Sequence, residues 1–206
     1  MKIITVSREF GSGGRELGKR LAQLLAFEYY DREIISFIAE KKGLDEGFVE
    51  RMLDGQARQN VPLTFRRSFL GGAALQTPQP RLLLEQKSVI EGIAKQGRDC
   101  VIVGRNADIL LKAYRPFNIF VCADMQMKIR RCAERAGEGE NLSPKQIKQN
   151  IRRIDKNRRY TREILTQDEW GRRGAYHLIV NTTDWDIKEL TPAVAEFAMR
   201  WFGRSK

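Results

Sequence analysis

Four short apolar runs divide the chain, and amphipathic stretches lie between them. The runs are 3–6, 100–103, 119–122 and 178–180. Each is apolar throughout, which is typical of a parallel strand that is covered on both faces. A fifth, weaker strand is predicted at 27–30.

Helical spacing of apolar residues fills the intervals between the strands. Leucines recur at this spacing in 17–25, and apolar side chains do so in 187–201, with Thr183 or Asp184 as the predicted N-cap. Ser143, which a proline follows, predicts the start of another helix. The alternation indicates an α/β fold with an open parallel sheet, in which ligands bind at the carboxyl ends of the strands.

Composition adds that the chain is globular, with 42% hydrophobic and 31% charged residues among 206. No apolar stretch approaches the roughly 18 residues of a membrane span. The apolar opening ends at Ser7, too early for a signal peptide, so a cytoplasmic protein is expected. One histidine and three cysteines without paired spacing predict neither a metal cluster nor a disulfide framework.

The net charge of +11 favours anionic partners without separating nucleic acid, phospholipid and nucleotide. Positive charge is concentrated in 143–173, where ten Lys/Arg stand against four Asp/Glu. Lys148, Arg152, Asp155 and Arg159 share one helix face there. A basic face over a phosphate chain suits phosphoryl transfer, and a solvated helix face is the alternative.

A glycine-rich turn follows the first predicted strand. It consists of Gly11, Ser12, Gly13, Gly14 and Arg15. Such a turn before a helix presents backbone N–H groups to an anion. The standard phosphate loop has glycine, four residues, then Gly-Lys-Ser/Thr. Here Gly14 replaces the lysine and Glu16 stands where a hydroxyl is expected, so Arg15 is the candidate cation. An ordinary strand–helix turn is the alternative.

Two further strand ends carry polar candidates. Arg105 and Asn106 come directly after the run 100–103, and Asp31 follows the predicted strand at 27–30. Residues at the carboxyl ends of one parallel sheet face a shared cleft. A carboxylate there can accept hydrogen bonds from a sugar or base, or orient an arginine.

Taken in order, segments 6–18, 30–31, 101–107, 154–160 and 181–183 resemble the cytidylate kinase-like branch of the nucleoside monophosphate kinases, within the P-loop NTPase superfamily. The resemblance implies a three-layer P-loop kinase fold, with a five-stranded parallel sheet flanked by helices and a helical lid. It implies one domain over 1–206, with an acceptor-side insertion at about 45–95 and a lid at about 137–173.

The resemblance also implies an ATP- and Mg²⁺-dependent enzyme that transfers the γ-phosphoryl group to CMP, dCMP or a similar nucleotide. By position, the turn from Gly11 to Glu16 would cradle the donor phosphates, and Arg130 or Arg131 would lie against the donor adenine. Mg²⁺ would be held by phosphate oxygens and water, so no side chain is predicted as its ligand.

On the acceptor side, the resemblance implies that Arg105 holds the acceptor phosphate and that Asn106 lies near the sugar or base. Asp31 and Asp155 are further substrate-side candidates. Arg152 and Arg159, seven residues apart, would match the paired lid arginines that clamp the transferring group. Cytidylate kinases carry aspartate at the position of Asn106.

Two other functions stay open at this point. One is a kinase for a non-nucleotide small acceptor, since a fold alone does not fix the substrate. The other is a catalytically weak nucleotide- or nucleic-acid-binding protein, which the absent lysine and the net charge favour. Nucleic acid is not an expected partner, because aromatic residues are not interleaved with the basic stretch. The stretch 55–80 is a substrate-side insertion or a protein contact, and the sequence predicts no oligomeric state.

Overall fold

A five-stranded parallel sheet forms the centre of the protein. The computed structural model describes residues 1–53, 78–135, 142–166 and 168–204. The strands are β1 (Ile3–Arg8), β2 (Glu28–Tyr30), β3 (Cys100–Val103), β4 (Phe117–Cys122) and β5 (Leu178–Asn181). Every pairing is parallel, and the strand order is β2-β3-β1-β4-β5. The predicted fold class is confirmed, and β2 forms where the weak strand was predicted.

Helices connect the strands and cover both faces of the sheet. They are α1 (Gly14–Leu25), α2 (Glu33–Lys42), α3 (Glu46–Leu53), α4 (Pro78–Lys95), α5 (Ala107–Leu110), α6 (Met125–Glu134), α7 (Pro144–Leu165) and α8 (Ile187–Arg204). Helix α7 begins as predicted, with a capping box between Ser143 and Gln146. The N-cap predicted for α8 at Thr183 or Asp184 is wrong, because the carboxylate of Asp186 accepts a 2.7 Å hydrogen bond from Lys188 N.

Two apolar layers explain why the strands are hydrophobic throughout. On one face, residues of α2, α3 and α4 pack against β3, with Ile34, Ile90 and Ile102 fully buried. On the other face, α1 and α8 pack against β1 and β4, and Leu17 and Val121 are fully buried. A side chain on either face of a central strand therefore meets a helix.

The sheet order fixes where a ligand binds. Strand β1 is central, and β3 and β4 lie on its opposite sides. Val6 pairs with Val103, so β1 and β3 end side by side. A crevice opens where the connections that follow two adjacent strands go to opposite faces of the sheet. This crevice is the usual ligand position in open α/β sheets.

The two predicted subregions are covered in part. The acceptor-side region is described at 45–53 and 78–95, and the lid is described at 142–166 and 168–173. Of the stretch 55–80, only the backbone at the start of α4 is described. Among the helices in the described part of the chain, none has the length and apolar character to cross a membrane.

Candidate active site

The glycine turn, residues 11–14, has the backbone geometry of an anion-binding loop. Gly11 and Gly13 lie at φ 78° and 82°, in the left-handed region that favours glycine. Gly13 is the N-cap of α1 and gives that helix no side-chain cap. The first N–H groups of a helix have no acceptor within it, so those of α1 remain for an anion. A Cβ on Gly13 would lie 2.6 Å from Cδ1 of Ile187.

Arg131 holds the glycine turn in place through buried hydrogen bonds. Its buried guanidinium donates to the carbonyl of Ser12 at 3.2 Å, to Oγ1 and the carbonyl of Thr182 at 2.8 and 2.9 Å, and to the carbonyl of Trp185 at 3.0 Å. Burial lowers the pKa of Arg131. These bonds join the glycine turn to the loop between β5 and α8, which makes Arg131 a structural residue in this arrangement.

Two other residues predicted to bind ATP are Glu16 on α1 and Arg130 on α6, and both form ion pairs with neighbouring side chains. Glu16 accepts from Arg20 Nε at 2.9 Å and forms an ion pair with Arg135. Arg130 is about two-thirds exposed and lies 3.8 Å from the carboxylate of Glu134. Glu16 is therefore engaged by two arginines. With Gly14 at the lysine position, the hydroxyl position of the standard loop falls on Arg15, so the assignment of Glu16 to it is wrong by one residue.

An arginine-rich cavity of about 300 Å³ opens at the carboxyl ends of β1 and β3. We call it the arginine cavity. Its lining combines six arginines with other polar and apolar side chains: Ser7, Arg8, Phe10, Arg15, Arg32, Glu50, Arg51, Leu53, Gln86, Gly104, Arg105, Asn106, Ile154, Arg158, Thr161 and Trp170. Among these described lining residues, a single one is acidic. The cavity therefore favours an anion.

Arg8 lies at the centre of this charge, and the sequence analysis missed it. Its side chain is 12% exposed, and its Nη2 lies 3.3 Å from Oδ1 of Asp31. The other carboxylate oxygen of Asp31 forms an ion pair with Arg15 Nε at 2.5 Å. Burial, with the nearby charges of Arg158 and other arginines, lowers the pKa of Arg8 to about 9 although Asp31 acts in the opposite direction. A cation in such a place is stabilised when an anion binds beside it.

Arg15 therefore extends toward the end of β2, where it lines the arginine cavity. The sequence placed it among the donor phosphate ligands as a substitute for the lysine. Its ion pair with the buried Asp31 holds it at the cavity wall, with about half of its side chain exposed. Asp31 likewise contacts two arginines of the cavity, as the orienting role predicts.

The predicted pair Arg105 and Asn106 forms a left-handed turn after β3. Gly104, Arg105 and Asn106 have φ values of 76°, 56° and 55°, and all three line the arginine cavity. Left-handed backbone is costly for residues other than glycine and is often found at functional sites. Nε2 of the buried Gln86 donates to the carbonyl of Arg105 at 3.0 Å, which supports the turn from α4.

Helix α7 contributes Arg158, which lies outside the predicted face, and Asp155, which belongs to it. Arg158 lines the cavity and donates through Nη1 to the carbonyl of Arg8 at 2.9 Å. Asp155 accepts from Phe10 N at 2.7 Å and from Arg158 Nη1 at 3.4 Å, and burial raises the pKa of this carboxyl. Arg152 and Arg159 are exposed and are not among the described lining residues.

The stripe of α7 that lines the cavity also has a signal in the sequence. Ile154, Arg158 and Thr161 recur at the i, i+4, i+7 spacing of one helix stripe, and all three line the cavity. The predicted stripe was the one with more charged residues, and it ended at Arg159. The guanidinium of Arg159 lies 5.7 Å from the centre of the Trp170 ring. For Arg8, the signal was its position at the end of the first strand.

The residues fit the phosphates of ATP better than they fit a protein-bound metal ion. The uncapped start of α1 and the left-handed glycines match an anion. In the described part of the chain, no group of three or more His, Cys, Asp or Glu side chains is placed to hold a metal ion. Mg²⁺ is commonly held by phosphate oxygens and water, and that mode of binding needs few protein side chains.

Fold and site together define a P-loop kinase: a parallel sheet with a glycine-rich turn after its central strand and a cationic cavity beside it. The chain belongs to the cytidylate kinase-like family, whose profile matches residues 3–184. No protein of curated function matches it in sequence.

Solved structures support the same fold. An uncharacterized protein from Eubacterium ventriosum is 21% identical with a TM-score of 0.68, over 97% of this chain and 99% of that one. A shikimate kinase from Acinetobacter baumannii, solved with shikimate, is 15% identical with a TM-score of 0.54 over 100% and 96%. A gluconokinase from Sinorhizobium meliloti is 13% identical with a TM-score of 0.52 over 100% and 98%. Family and fold indicate a phosphotransferase.

Proposed function

We propose that this protein transfers the γ-phosphoryl group of ATP to a nucleoside monophosphate, with CMP or dCMP as the preferred acceptor. The observation that carries the proposal is the arginine cavity. Its six lining arginines stand against four carboxylates, Glu50 in the lining and Asp31, Asp45 and Asp155 in ion pairs with lining arginines. This excess of positive charge suits an acceptor that carries its own phosphate.

The two parts of the site divide the work between donor and acceptor. The glycine turn and the start of α1 bind the phosphates of ATP, with Mg²⁺ on the phosphate oxygens. The arginine cavity binds the acceptor phosphate through Arg105 and Arg158. Asn106 lies in the lining and carries no cap for α5, so its amide is suited to the sugar or base.

Catalysis in this proposal rests on positioning and charge. An oxygen of the acceptor phosphate attacks the γ-phosphorus, and the bond from that phosphorus to the oxygen of ADP breaks. Negative charge on the transferring group is stabilised by fixed arginines, which need no reorganisation during the step. Asp155 joins α7 to the backbone of Phe10, so the same helix that supplies Arg158 is tied to the glycine turn. The contacts of Asp155 and Arg158 place α7 beside the glycine turn and the cavity, which supports a lid role for this helix.

A coupled ADP-release assay over a panel of acceptors tests the proposal. We expect turnover of CMP and dCMP, weaker turnover of UMP and AMP, and at least about 100-fold lower kcat/KM for cytidine, because cytidine lacks the phosphate that the arginines bind. Cytidine is the matched control, since it differs from CMP by that group alone. Turnover of shikimate or gluconate alone would identify a kinase for a non-nucleotide acceptor. Salt-dependent nucleic-acid binding without any turnover would identify the binding protein instead.

A further inference from the structure

Two of the positions at which this chain differs from the standard phosphate loop face each other. The standard order is glycine, four residues, glycine, lysine. With Gly13 as the second glycine, the first glycine falls on Arg8 and the lysine falls on Gly14. The chain thus has a cation where the loop has glycine, and glycine where the loop has a cation.

The space around Gly14 explains why both differences occur together. A Cβ on Gly14 would lie 2.5 Å from Cβ of Arg8, 3.1 Å from its Cγ and 3.2 Å from Cβ of Val121. Real Cβ atoms do not approach backbone-proximal side-chain atoms this closely, so positions 8 and 14 share one space. A long side chain at either position requires glycine at the other.

A second glycine makes room for the charged end of Arg8. A Cβ on Gly104 would overlap Nη1 of Arg8. The stem of Arg8 therefore crosses Gly14 at the start of α1, and its guanidinium lies over Gly104 at the end of β3. This path runs from the glycine turn into the arginine cavity, between the proposed donor and acceptor sites.

We propose that Arg8 and Gly14 are an exchanged pair, in which the guanidinium of Arg8 contacts the transferring phosphoryl group and takes the place of the loop lysine. The cation enters from the end of β1 instead of the start of α1. The inference rests on the proposed phosphotransfer. A planar guanidinium in this position can contact two phosphate oxygens at once, which a lysine ammonium does less well.

The exchange is tested by a cycle of Arg8→Gly, Gly14→Lys and the double variant. We expect Arg8→Gly to lower kcat with CMP by at least about 100-fold. Gly14→Lys alone is expected to lower both kcat and Tm, because its stem overlaps that of Arg8. The double variant is expected to recover Tm and to exceed the kcat of Arg8→Gly at least tenfold.

Two more variants separate charge from folding. Arg8→Met keeps a stem over Gly14 without the charge, so we expect near-wild-type Tm and the same loss of kcat as in Arg8→Gly. Arg98→Gly is the matched control, since Arg98 is an exposed arginine in the loop before β3, away from the cavity. We expect it to leave kcat unchanged.

Calorimetric titration with a non-hydrolysable ATP analogue distinguishes failure of this inference from failure of the proposed function. If the wild-type protein phosphorylates no acceptor, the proposed function fails. The exchange can still be tested by binding: we expect Arg8→Met to bind the analogue at least tenfold more weakly than wild type, and the double variant to restore this binding. If wild type turns over CMP, a kcat of Arg8→Met within threefold of wild type overturns the exchange. A double variant no more active than Arg8→Gly overturns it as well.

Discussion

The glycine turn and the arginine cavity lie at the same end of the sheet but are built in different ways. The turn is a backbone structure: its left-handed glycines and the uncapped start of α1 follow from residues adjacent in sequence. The cavity is a side-chain structure, whose arginines come from β1, α1, the position before α2, α3, the turn after β3, and α7. Changes in the turn should therefore affect stability and ATP binding, and changes in the cavity should affect the chemical step.

The largest expected effect separates two adjacent arginines of α7. Arg158→Ala should lower kcat/KM for CMP by about 10²–10³-fold, because it removes a cation from the cavity wall. Arg159→Ala should lower it by less than about tenfold, because Arg159 is exposed over the Trp170 ring. Steady-state kinetics with Tm as a folding check measure both. An Arg159→Ala loss equal to or larger than that of Arg158→Ala would make Arg159 the clamp that the resemblance implied.

A second comparison tests the support of the glycine turn. Arg131→Met should lower the free energy of unfolding by about 3 kcal/mol, since the buried carbonyl oxygens of Thr182 and Trp185 lose their donor. Arg130→Met is the matched control, and its exposed pair with Glu134 should contribute less than about 1 kcal/mol. Urea unfolding measures both variants. Equal losses would show that the turn does not depend on Arg131.

The smallest expected effect isolates the steric part of a left-handed glycine. Gly13→Ala adds backbone strain and a Cβ that lies 2.6 Å from Cδ1 of Ile187. Gly97→Ala has a similar φ of 74° but no atom within 4 Å of the added Cβ. We expect Gly97→Ala to cost about 1 kcal/mol of stability and Gly13→Ala about 1 kcal/mol more. If thermal unfolding showed a larger loss of stability for Gly97→Ala than for Gly13→Ala, the steric requirement for glycine at position 13 would be contradicted.

The fold could be predicted because its signals are local. Continuous apolar runs mark strands buried on both faces, and even the short β2 lies where the weaker strand was predicted. The capping box of α7 was equally local. The N-cap of α8 was misplaced because several Thr and Asp residues offered similar oxygens, and only the observed hydrogen bond to Lys188 selects Asp186.

Several residues at or beside the cavity could be placed from the sequence because they follow strand ends. Arg105, Asn106 and Asp31 come together as the parallel sheet requires. Arg8 was missed because its importance depends on Gly14 and Gly104, which are separated from each other by 90 positions and form one space only in the folded chain. On α7, charge spacing alone did not reveal which of two neighbouring arginine stripes faces the sheet.

The central claim is that the arginine cavity holds the acceptor phosphate while the glycine turn holds the donor phosphates. A crystal structure with a non-hydrolysable ATP analogue and CMP tests it most directly. We predict the CMP phosphate within about 3 Å of guanidinium nitrogens of Arg105 and Arg158, and the analogue's phosphates on the N–H groups that begin α1. A CMP phosphate bound outside the cavity, or analogue phosphates filling it, would contradict the account.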